Sequence, residues 1–126
     1  MKTTKITKKN ILIIDEDPSI LSLFTFMLKQ VGHNTLTASS QREALEISKS
    51  DKHIELTFID GKIAELNNHK TYIELKKIRP NTPCIFMLSY SDKKRTEKIL
   101  KLRPYSTIFK PFDVEEVLSM INYILK

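Results

Sequence analysis

Charged and hydroxyl side chains stand at the ends of short apolar runs at four points of the sequence. They are Asp15, Glu16 and Asp17 after the first run, Asp60 after the third, Ser89 after the fourth and Lys110 at the end of the fifth. Crowded carboxylates repel one another unless a cation neutralises them. Mg²⁺ suits such oxygen ligands, because it keeps several waters and can also bind a phosphoryl oxygen. Together with the Lys110 ammonium and the Ser89 hydroxyl, this set carries the charges that phosphoryl transfer requires.

These side chains share one edge of a sheet if the apolar runs are parallel strands. The strands are predicted at 11–14, 33–38, 54–59, 83–88 and 105–109, and the helices at 18–31, 41–49, 68–78, 92–102 and 113–124. Short apolar runs alternate with segments whose apolar residues recur at helical spacing. This alternation predicts an α/β domain with a parallel sheet and helices on both faces, because parallel strands need crossover connections. Ligands of such sheets bind beyond the carboxyl ends of the strands.

Length and composition are typical of one globular domain. The chain has 126 residues, of which 40% are hydrophobic, and a formal net charge of +6. A single cysteine excludes an intramolecular disulfide framework and fits a reducing compartment, so we expect a cytoplasmic protein. No apolar run approaches the roughly 18 residues of a membrane span, so we expect no membrane-spanning segment. Residues 1–9 contain four lysines and no acid, and we interpret them as a basic, solvated tail ahead of one domain at 10–126. Attraction of this tail to polyanions is the alternative, but we expect no direct binding of nucleic acid.

Four segments of the sequence closely resemble one known family. They are ILIIDEDPSI, LTFID, CIFMLS and TIFKPF, in this order and spacing. They resemble the receiver domain of two-component response regulators, and the resemblance covers residues 10–126. It implies a flavodoxin-like doubly wound α/β fold, (βα)5, with strand order 2-1-3-4-5. It also implies that the chain accepts a phosphoryl group from a phosphohistidine of a sensor kinase or phosphotransfer protein and signals through protein contacts.

The same resemblance implies a role for each residue at the strand ends. Asp60 takes the position of the phosphoacceptor, and Ser89 and Lys110 take those of phosphoryl contacts. The positions of the Mg²⁺ ligands fall on Glu16, on Asp60 itself, on the backbone carbonyl of Lys62 and, through water, on Asp15. A domain of this kind catalyses only its own phosphorylation and dephosphorylation, so we do not expect a conventional enzyme.

Two residues depart from the family pattern in ways that bear on signalling. Thr107 stands where the family has an aromatic switch residue, and Tyr90 stands where a small residue usually follows Ser89. Tyr90 is interpreted either as a shield for the acyl phosphate or as a replacement aromatic, and we predict slow dephosphorylation. The absent aromatic switch and the atypical loop after Asp60 favour an alternative function, a pseudo-receiver that acts as a phosphorylation-independent interaction scaffold, whereas the intact set of residues at the strand ends opposes it. A flavodoxin-like small-molecule binder is a third alternative, but no Gly-rich phosphate loop supports it.

A basic stripe lies on the helix predicted over 92–102. Lys94, Lys98 and Lys101 share one face of that helix, at spacings of four and three residues. Such a stripe is either solvated surface or a docking face for an acidic protein, since the family uses its helix 4–strand 5–helix 5 surface for output. The sequence ends shortly after the last predicted helix. A stand-alone regulator, a phosphorelay shuttle and a fragment of a longer regulator are therefore all compatible with it.

Overall fold

The computed structural model describes residues 8–126, so most of the predicted basic tail lies outside the described residues. Strands and helices alternate along the whole of the described chain. The strands are β1 (Asn10–Ile14), β2 (Asn34–Ala38), β3 (Leu56–Asp60), β4 (Cys84–Ser89) and β5 (Ser106–Lys110). The helices are α1 (Pro18–Gln30), α2 (Gln41–Lys49), α3 (Gly61–Ile78), α4 (Lys93–Leu100) and α5 (Val114–Ile124). The predicted strands are confirmed, and four of the five helices agree closely with the prediction.

All five strands are parallel and lie in the order β2-β1-β3-β4-β5, which confirms the flavodoxin-like topology. Successive side chains of a strand point to opposite faces of the sheet, so each strand contributes to two cores. Ile11 and Ile13 of β1 pack in the core that includes Phe24 of α1, whereas Leu12 and Ile14 pack in the core on the other face. Helices α1 and α5 cover the first face, and α2, α3 and α4 cover the second.

Helix α1 starts and stops at the residues that the sequence indicates. The Asp17 side chain accepts a hydrogen bond from the backbone N–H of Ser19 at 2.9 Å, and Pro18 occupies the first helical position. Gly32, which follows the helix, has a φ of 83°, a conformation that glycine adopts without steric cost. This start places the acidic residues of the β1–α1 loop at the carboxyl edge of the sheet. Within residues 8–126, no helix is both long and apolar enough to cross a membrane.

Helix α3 corrects the prediction, which has a loop after Asp60 and a helix from about Asn68. The helix begins at Gly61 because the Asp60 carboxylate caps it, accepting a hydrogen bond from the N–H of Lys62 at 3.1 Å. Residues 66–69 then leave the helical conformation, and the last three of them have φ values of 53°, 56° and 65°. The polar stretch ELNNHK breaks the apolar periodicity at this point, and for that reason the first turns of α3 were missed.

Candidate functional site

A cleft opens at the carboxyl edge of the sheet, where β1, β3, β4 and β5 end. Its volume is about 190 Å³. The lining residues are Asp15, Glu16, Asp17, Asp60, Gly61, Lys62, Met87, Leu88, Ser89, Arg95 and Lys110. Every site residue that the sequence predicts is therefore on the wall of one cleft. The parallel topology accounts for this, because it brings the carboxyl ends of neighbouring strands to one edge.

Lys110 joins the two buried carboxylates of the cleft. Its Nζ donates a hydrogen bond to Oδ2 of Asp15 at 2.6 Å and another to Oδ1 of Asp60 at 3.0 Å. The side chains of Asp15 and Asp60 are 2% and 10% exposed, and that of Lys110 is 25% exposed. Charge-assisted hydrogen bonds of this length are among the stronger polar contacts in proteins. The ammonium carries a single positive charge, so it neutralises only one of the two carboxylates that it contacts.

Backbone amides fix the other oxygen of each carboxylate. Oδ1 of Asp15 accepts a hydrogen bond from the N–H of Asp17 at 2.9 Å, and Oδ2 of Asp60 accepts one from the N–H of Lys62 at 3.1 Å. Each carboxylate thus has one oxygen on the Lys110 ammonium and one on a backbone amide. This arrangement holds both groups in a defined orientation toward the cleft, as a reacting or metal-binding carboxylate requires.

Burial and charge pairing shift two pKa values in the cleft. Burial raises the pKa of Asp15 above its ordinary value, although the hydrogen bonds from Lys110 and from the Asp17 amide act in the opposite direction. Burial alone would lower the pKa of Lys110, but its hydrogen bonds to Asp15 and Asp60 outweigh that effect and raise the pKa. Lys110 therefore stays cationic at neutral pH, and the cleft keeps an excess of negative charge that favours a further cation.

The other predicted residues lie on the rim of the cleft. Ser89 is the neighbour of Lys110 in the β4–β5 register, and its hydroxyl lies 2.9 Å from the hydroxyl oxygen of Ser91. The side chains of Glu16 and Lys62 are both exposed. The structure thus brings Asp15, Asp60 and Lys110 into direct contact and leaves the others beside them.

The oxygen donors of the cleft fit Mg²⁺. Across residues 8–126, no three His, Cys, Asp or Glu side chains are arranged to hold a metal ion by themselves. Mg²⁺ does not need such a cage, because proteins commonly bind it through one or two carboxylates while it keeps several waters. Asp60 and Glu16, which both line the cleft, supply that number of ligands, and the buried Asp15, which shares a single ammonium with Asp60, adds negative charge.

One residue of the cleft, Arg95 of α4, was missed from the sequence. Its Nε donates a hydrogen bond to Oε1 of Glu65 at 3.0 Å, and its Nη1 pairs with Asp92. The only sequence signal is the three-residue spacing of Asp92 and Arg95, which is typical of an intrahelical ion pair. Arg95 points about 100° away from Lys94 around α4 and lines the cleft, while Lys98, one turn further on, contacts the same Glu65 carboxylate.

Tyr90 is placed beside the cleft and not inside it. Its side chain is 69% exposed, and its ring stacks on that of Phe109, with centroids 4.6 Å apart and an angle of 16° between the planes. Phe109 precedes Lys110 in β5, so the stacked pair adjoins the residue that joins the two carboxylates. Thr107 is half-buried in the same strand. This placement gives more support to Tyr90 as a replacement aromatic than as a cover for the cleft.

Comparison with known proteins agrees with this geometry. The profile of the family described as the response regulator receiver domain matches residues 11–122. The transcriptional regulatory protein ZraR of Escherichia coli O157:H7 is 28% identical over 116 residues, which are 92% of this chain and 26% of that protein. The transcriptional regulatory protein GlrR of Escherichia coli K12 is 24% identical over 117 residues, or 93% of this chain and 26% of that protein. The chain spans about a quarter of the length of these curated relatives.

Solved structures show the same fold. A receiver domain protein from Clostridium thermocellum superposes with a TM-score of 0.79 at 28% identity, covering 93% of this chain and 94% of that one. A CheY-like receiver domain protein from Methanospirillum hungatei JF-1 gives a TM-score of 0.81 at 24% identity, covering 94% of both chains. With the family profile spanning nearly all of β1 to α5, and with acidic, hydroxyl and lysine side chains at the expected strand ends, the chain belongs to the response regulator receiver domain family.

Proposed function

We propose that the chain, over residues 10–126, is a phosphoacceptor signalling domain. Asp60 takes a phosphoryl group from a phosphohistidine of a sensor kinase or phosphotransfer protein, in a reaction that depends on Mg²⁺. The observation that carries this proposal is the contact of Asp15 and Asp60 with one ammonium, that of Lys110, at the carboxyl edge of the sheet. A carboxylate held in this way is an oriented nucleophile with a cation already beside it.

The side chains of the cleft supply the parts that the transfer needs. A carboxylate oxygen of Asp60 forms the new P–O bond while the P–N bond to the donor imidazole breaks, and the imidazole leaves with the electron pair. The Lys110 ammonium offsets the charge on the phosphoryl oxygens, and the Ser89 hydroxyl donates a hydrogen bond to one of them. The Lys62 amide, which holds Oδ2 of Asp60, keeps the carboxylate in place.

The proposed Mg²⁺ ligands are Glu16, Asp60 and the backbone carbonyl of Lys62, with Asp15 acting through water. Support comes from the excess of carboxylate over ammonium in the cleft. When bound, Mg²⁺ supplies positive charge that offsets both the carboxylates and the phosphoryl oxygens. We propose no catalysis beyond the phosphorylation and dephosphorylation of the domain itself.

Intact-mass spectrometry after incubation with acetyl phosphate and Mg²⁺ tests this function. We expect one added phosphate on the wild-type chain and on an Asp51→Asn control, which alters an exposed acid far from the cleft. No phosphate should be added to Asp60→Ala or in the absence of Mg²⁺. An equal adduct on Asp60→Ala would refute Asp60 as the acceptor.

The alternative function is a pseudo-receiver that serves as an interaction scaffold without phosphorylation. The half-buried Thr107, in place of an aromatic switch residue, is the observation that favours it. Beryllofluoride mimics a phosphoryl group and separates the two functions. A phosphoacceptor binds it together with Mg²⁺, even where acetyl phosphate is a poor donor, whereas a chain that binds neither Mg²⁺ nor beryllofluoride is a scaffold.

We propose that the signal leaves the domain through protein contacts in the cytoplasm. Lys94, Lys98 and Lys101 are exposed on α4 and its last turn, and Lys98 Nζ lies 3.6 Å from Oε2 of Glu65. This basic stripe fits an acidic protein partner. A Lys94→Glu/Lys98→Glu chain should bind such a partner more weakly and with less dependence on salt. Unchanged binding and salt dependence would identify the stripe as solvated surface.

A further inference from the structure

Arg95 approaches the phosphoacceptor through the backbone next to it. A Cβ placed on Gly61 would lie 3.3 Å from Cδ of Arg95 and 2.9 Å from Cδ2 of Leu88. The stem of Arg95 therefore runs over the residue that directly follows Asp60, and its side chain forms part of the cleft wall. The Arg95 side chain is 23% exposed, so it lies against the protein surface and does not extend freely into solvent.

The guanidinium of Arg95 is held by two carboxylates, neither of which belongs to the Lys110 contact. Glu65 lies on α3 and accepts from Nε at 3.0 Å, and Asp92, which caps α4, accepts from Nη1. Glu65 also lies within 3.6 Å of Lys98, so it has a second cationic partner. If the guanidinium turns away from Glu65 toward the cleft, Glu65 still has Lys98 as a cationic neighbour.

The negative charge in the cleft exceeds the positive charge of Lys110, which favours a second cationic side chain near Asp60. Lys110 is already divided between Asp15 and Asp60. A phosphoryl group on Asp60 adds about one to two further negative charges and three acceptor oxygens. A guanidinium is planar, always charged and suited to contact two phosphoryl oxygens at once. Arg95 is on the wall of the same cleft, on α4, whereas Lys110 comes from β5.

We propose that Arg95 is a second phosphoryl-binding side chain, and that Glu65 competes for it while Asp60 is unmodified. The proposal rests on the function assigned to Asp60 above. When the phosphoryl group is present, the guanidinium exchanges Glu65 for phosphoryl oxygens, and Glu65 retains Lys98. This exchange loosens the link between α3 and α4, so occupancy of the cleft alters the surface that these two helices form.

Two substitutions that break the same ion pair have opposite consequences under this proposal. Arg95→Gln removes the proposed phosphoryl contact, so phosphoryl mimics bind more weakly. Glu65→Gln removes the competitor, so the guanidinium is free for the cleft and the mimics bind more tightly. If the pair only braces α3 against α4, both substitutions loosen that brace and shift the affinity in the same direction.

The test is a titration of the full chain with beryllofluoride in the presence of Mg²⁺, followed by amide NMR. We expect Arg95→Gln to weaken binding about 10-fold, the size of one lost hydrogen bond to a charged group. Glu65→Gln should tighten it about 3-fold, and Arg95→Lys should fall between the wild type and Arg95→Gln. Arg42→Gln is the matched control, because it breaks an exposed ion pair with Glu46 on α2, which does not line the cleft, and it should stay within about 2-fold of the wild type.

Each other outcome overturns the proposal in a recognisable way. If the wild-type chain binds beryllofluoride but Arg95→Gln and Glu65→Gln shift the affinity in the same direction, Arg95 only positions α4. The same conclusion follows if Arg95→Gln binds as tightly as the wild type. If the wild-type chain neither binds beryllofluoride nor gains phosphate from acetyl phosphate, the function assigned to Asp60 fails, and the role of Arg95 fails with it.

Discussion

The two edges of the sheet both carry cationic side chains, but these cations contact different acceptors. At the amino edge, Arg79 donates hydrogen bonds to the backbone carbonyls of Ser48, Ser50 and Lys52 at 3.0, 2.9 and 2.6 Å. At the carboxyl edge, Lys110 donates to two carboxylates. Neutral, fixed carbonyls satisfy Arg79 and fasten the α2–β3 connection to the end of α3.

The difference in acceptors gives the two side chains different roles, because Arg79 contacts neutral carbonyls and Lys110 contacts charged carboxylates. Carbonyls of the main chain cannot leave Arg79 without local unfolding, so that contact contributes to stability alone. The carboxylates at the carboxyl edge exceed the charge of Lys110 and gain from any further cation. The carboxyl edge therefore retains an excess of negative charge that a bound metal ion can neutralise, whereas the amino edge does not.

The largest expected effect is on the chemistry of the carboxyl edge. Lys110→Gln removes the ammonium that joins Asp15 and Asp60, and we expect the rate of phosphorylation by acetyl phosphate to fall about 100- to 1,000-fold. Lys76→Gln is the matched control, since Lys76 Nζ donates to the carbonyls of Pro80 and Thr82 at the amino edge. Equal rates for the two variants would show that a lysine at the carboxyl edge contributes no more to the reaction than one at the amino edge.

A substitution at the amino edge should lower the stability of the fold without changing the rate of phosphorylation. Arg79→Met leaves three backbone carbonyls without their donor, and we expect the free energy of unfolding to fall by about 2 to 4 kcal/mol in urea titrations. The phosphorylation rate of the folded variant should match that of the wild type. A rate loss as large as that of Lys110→Gln would mean that the two edges are coupled.

A smaller effect concerns the pH dependence of stability. Burial raises the pKa of Asp15 above 3.8, so the folded chain holds this proton more tightly than the unfolded chain does. Ionisation of Asp15 therefore costs folding free energy, and the stability of the wild type falls relative to Asp15→Asn as the pH rises from 3.8 through the raised pKa. In urea titrations we expect the wild type to lose stability relative to Asp15→Asn between strong acid and neutral pH.

The amino edge provides the contrast for that measurement. The backbone carbonyls that accept hydrogen bonds from Arg79 do not titrate, so the stability difference between the wild type and Arg79→Met should not vary with pH. A second effect is expected at alkaline pH, because the pKa of Lys110 is raised above its ordinary value of 10.5. Protonated Lys110 stabilises the folded chain at pH values below 10.5, and this stabilisation is lost as the pH rises through the raised pKa. A pH-independent difference for Asp15→Asn would contradict the assignment of the acid effect to Asp15.

The smallest effect is expected next to the cleft. Tyr90→Ala removes the ring that stacks on Phe109, the residue before Lys110. Because Lys110 is then held less firmly beside Asp60, we expect the lifetime of the phosphorylated domain to shorten about 3-fold, the size of one aromatic contact. Tyr90→Phe keeps the stacked ring and should keep the lifetime. The decay of the phosphorylated mass after removal of acetyl phosphate measures both. An unchanged lifetime in Tyr90→Ala would contradict the prediction of slow dephosphorylation.

The sequence predicts the carboxyl edge well because each of its residues follows a strongly apolar strand. Asp60 ends the fully buried β3, and Lys110 ends β5, so strand periodicity alone places both at one edge. Arg95 could not be predicted in this way, because its approach to the cleft depends on how α4 packs over Gly61. The start of α3 could not be predicted for another reason, because residues 66–69 leave the helical conformation and interrupt the apolar periodicity of the helix.

The most direct test of Asp60 as the phosphoacceptor is to locate the phosphate after incubation with acetyl phosphate and Mg²⁺. Borohydride reduces an aspartyl phosphate to homoserine and releases the phosphate, so tandem mass spectrometry of the digested chain identifies the modified residue. We expect homoserine at position 60 and unmodified carboxylates at Asp15, Glu16 and Asp17. Homoserine at position 15 or 17, or the corresponding five-carbon alcohol at position 16, with Asp60 intact, would show that another carboxylate of the cleft is the acceptor and would contradict the assignment of Asp60.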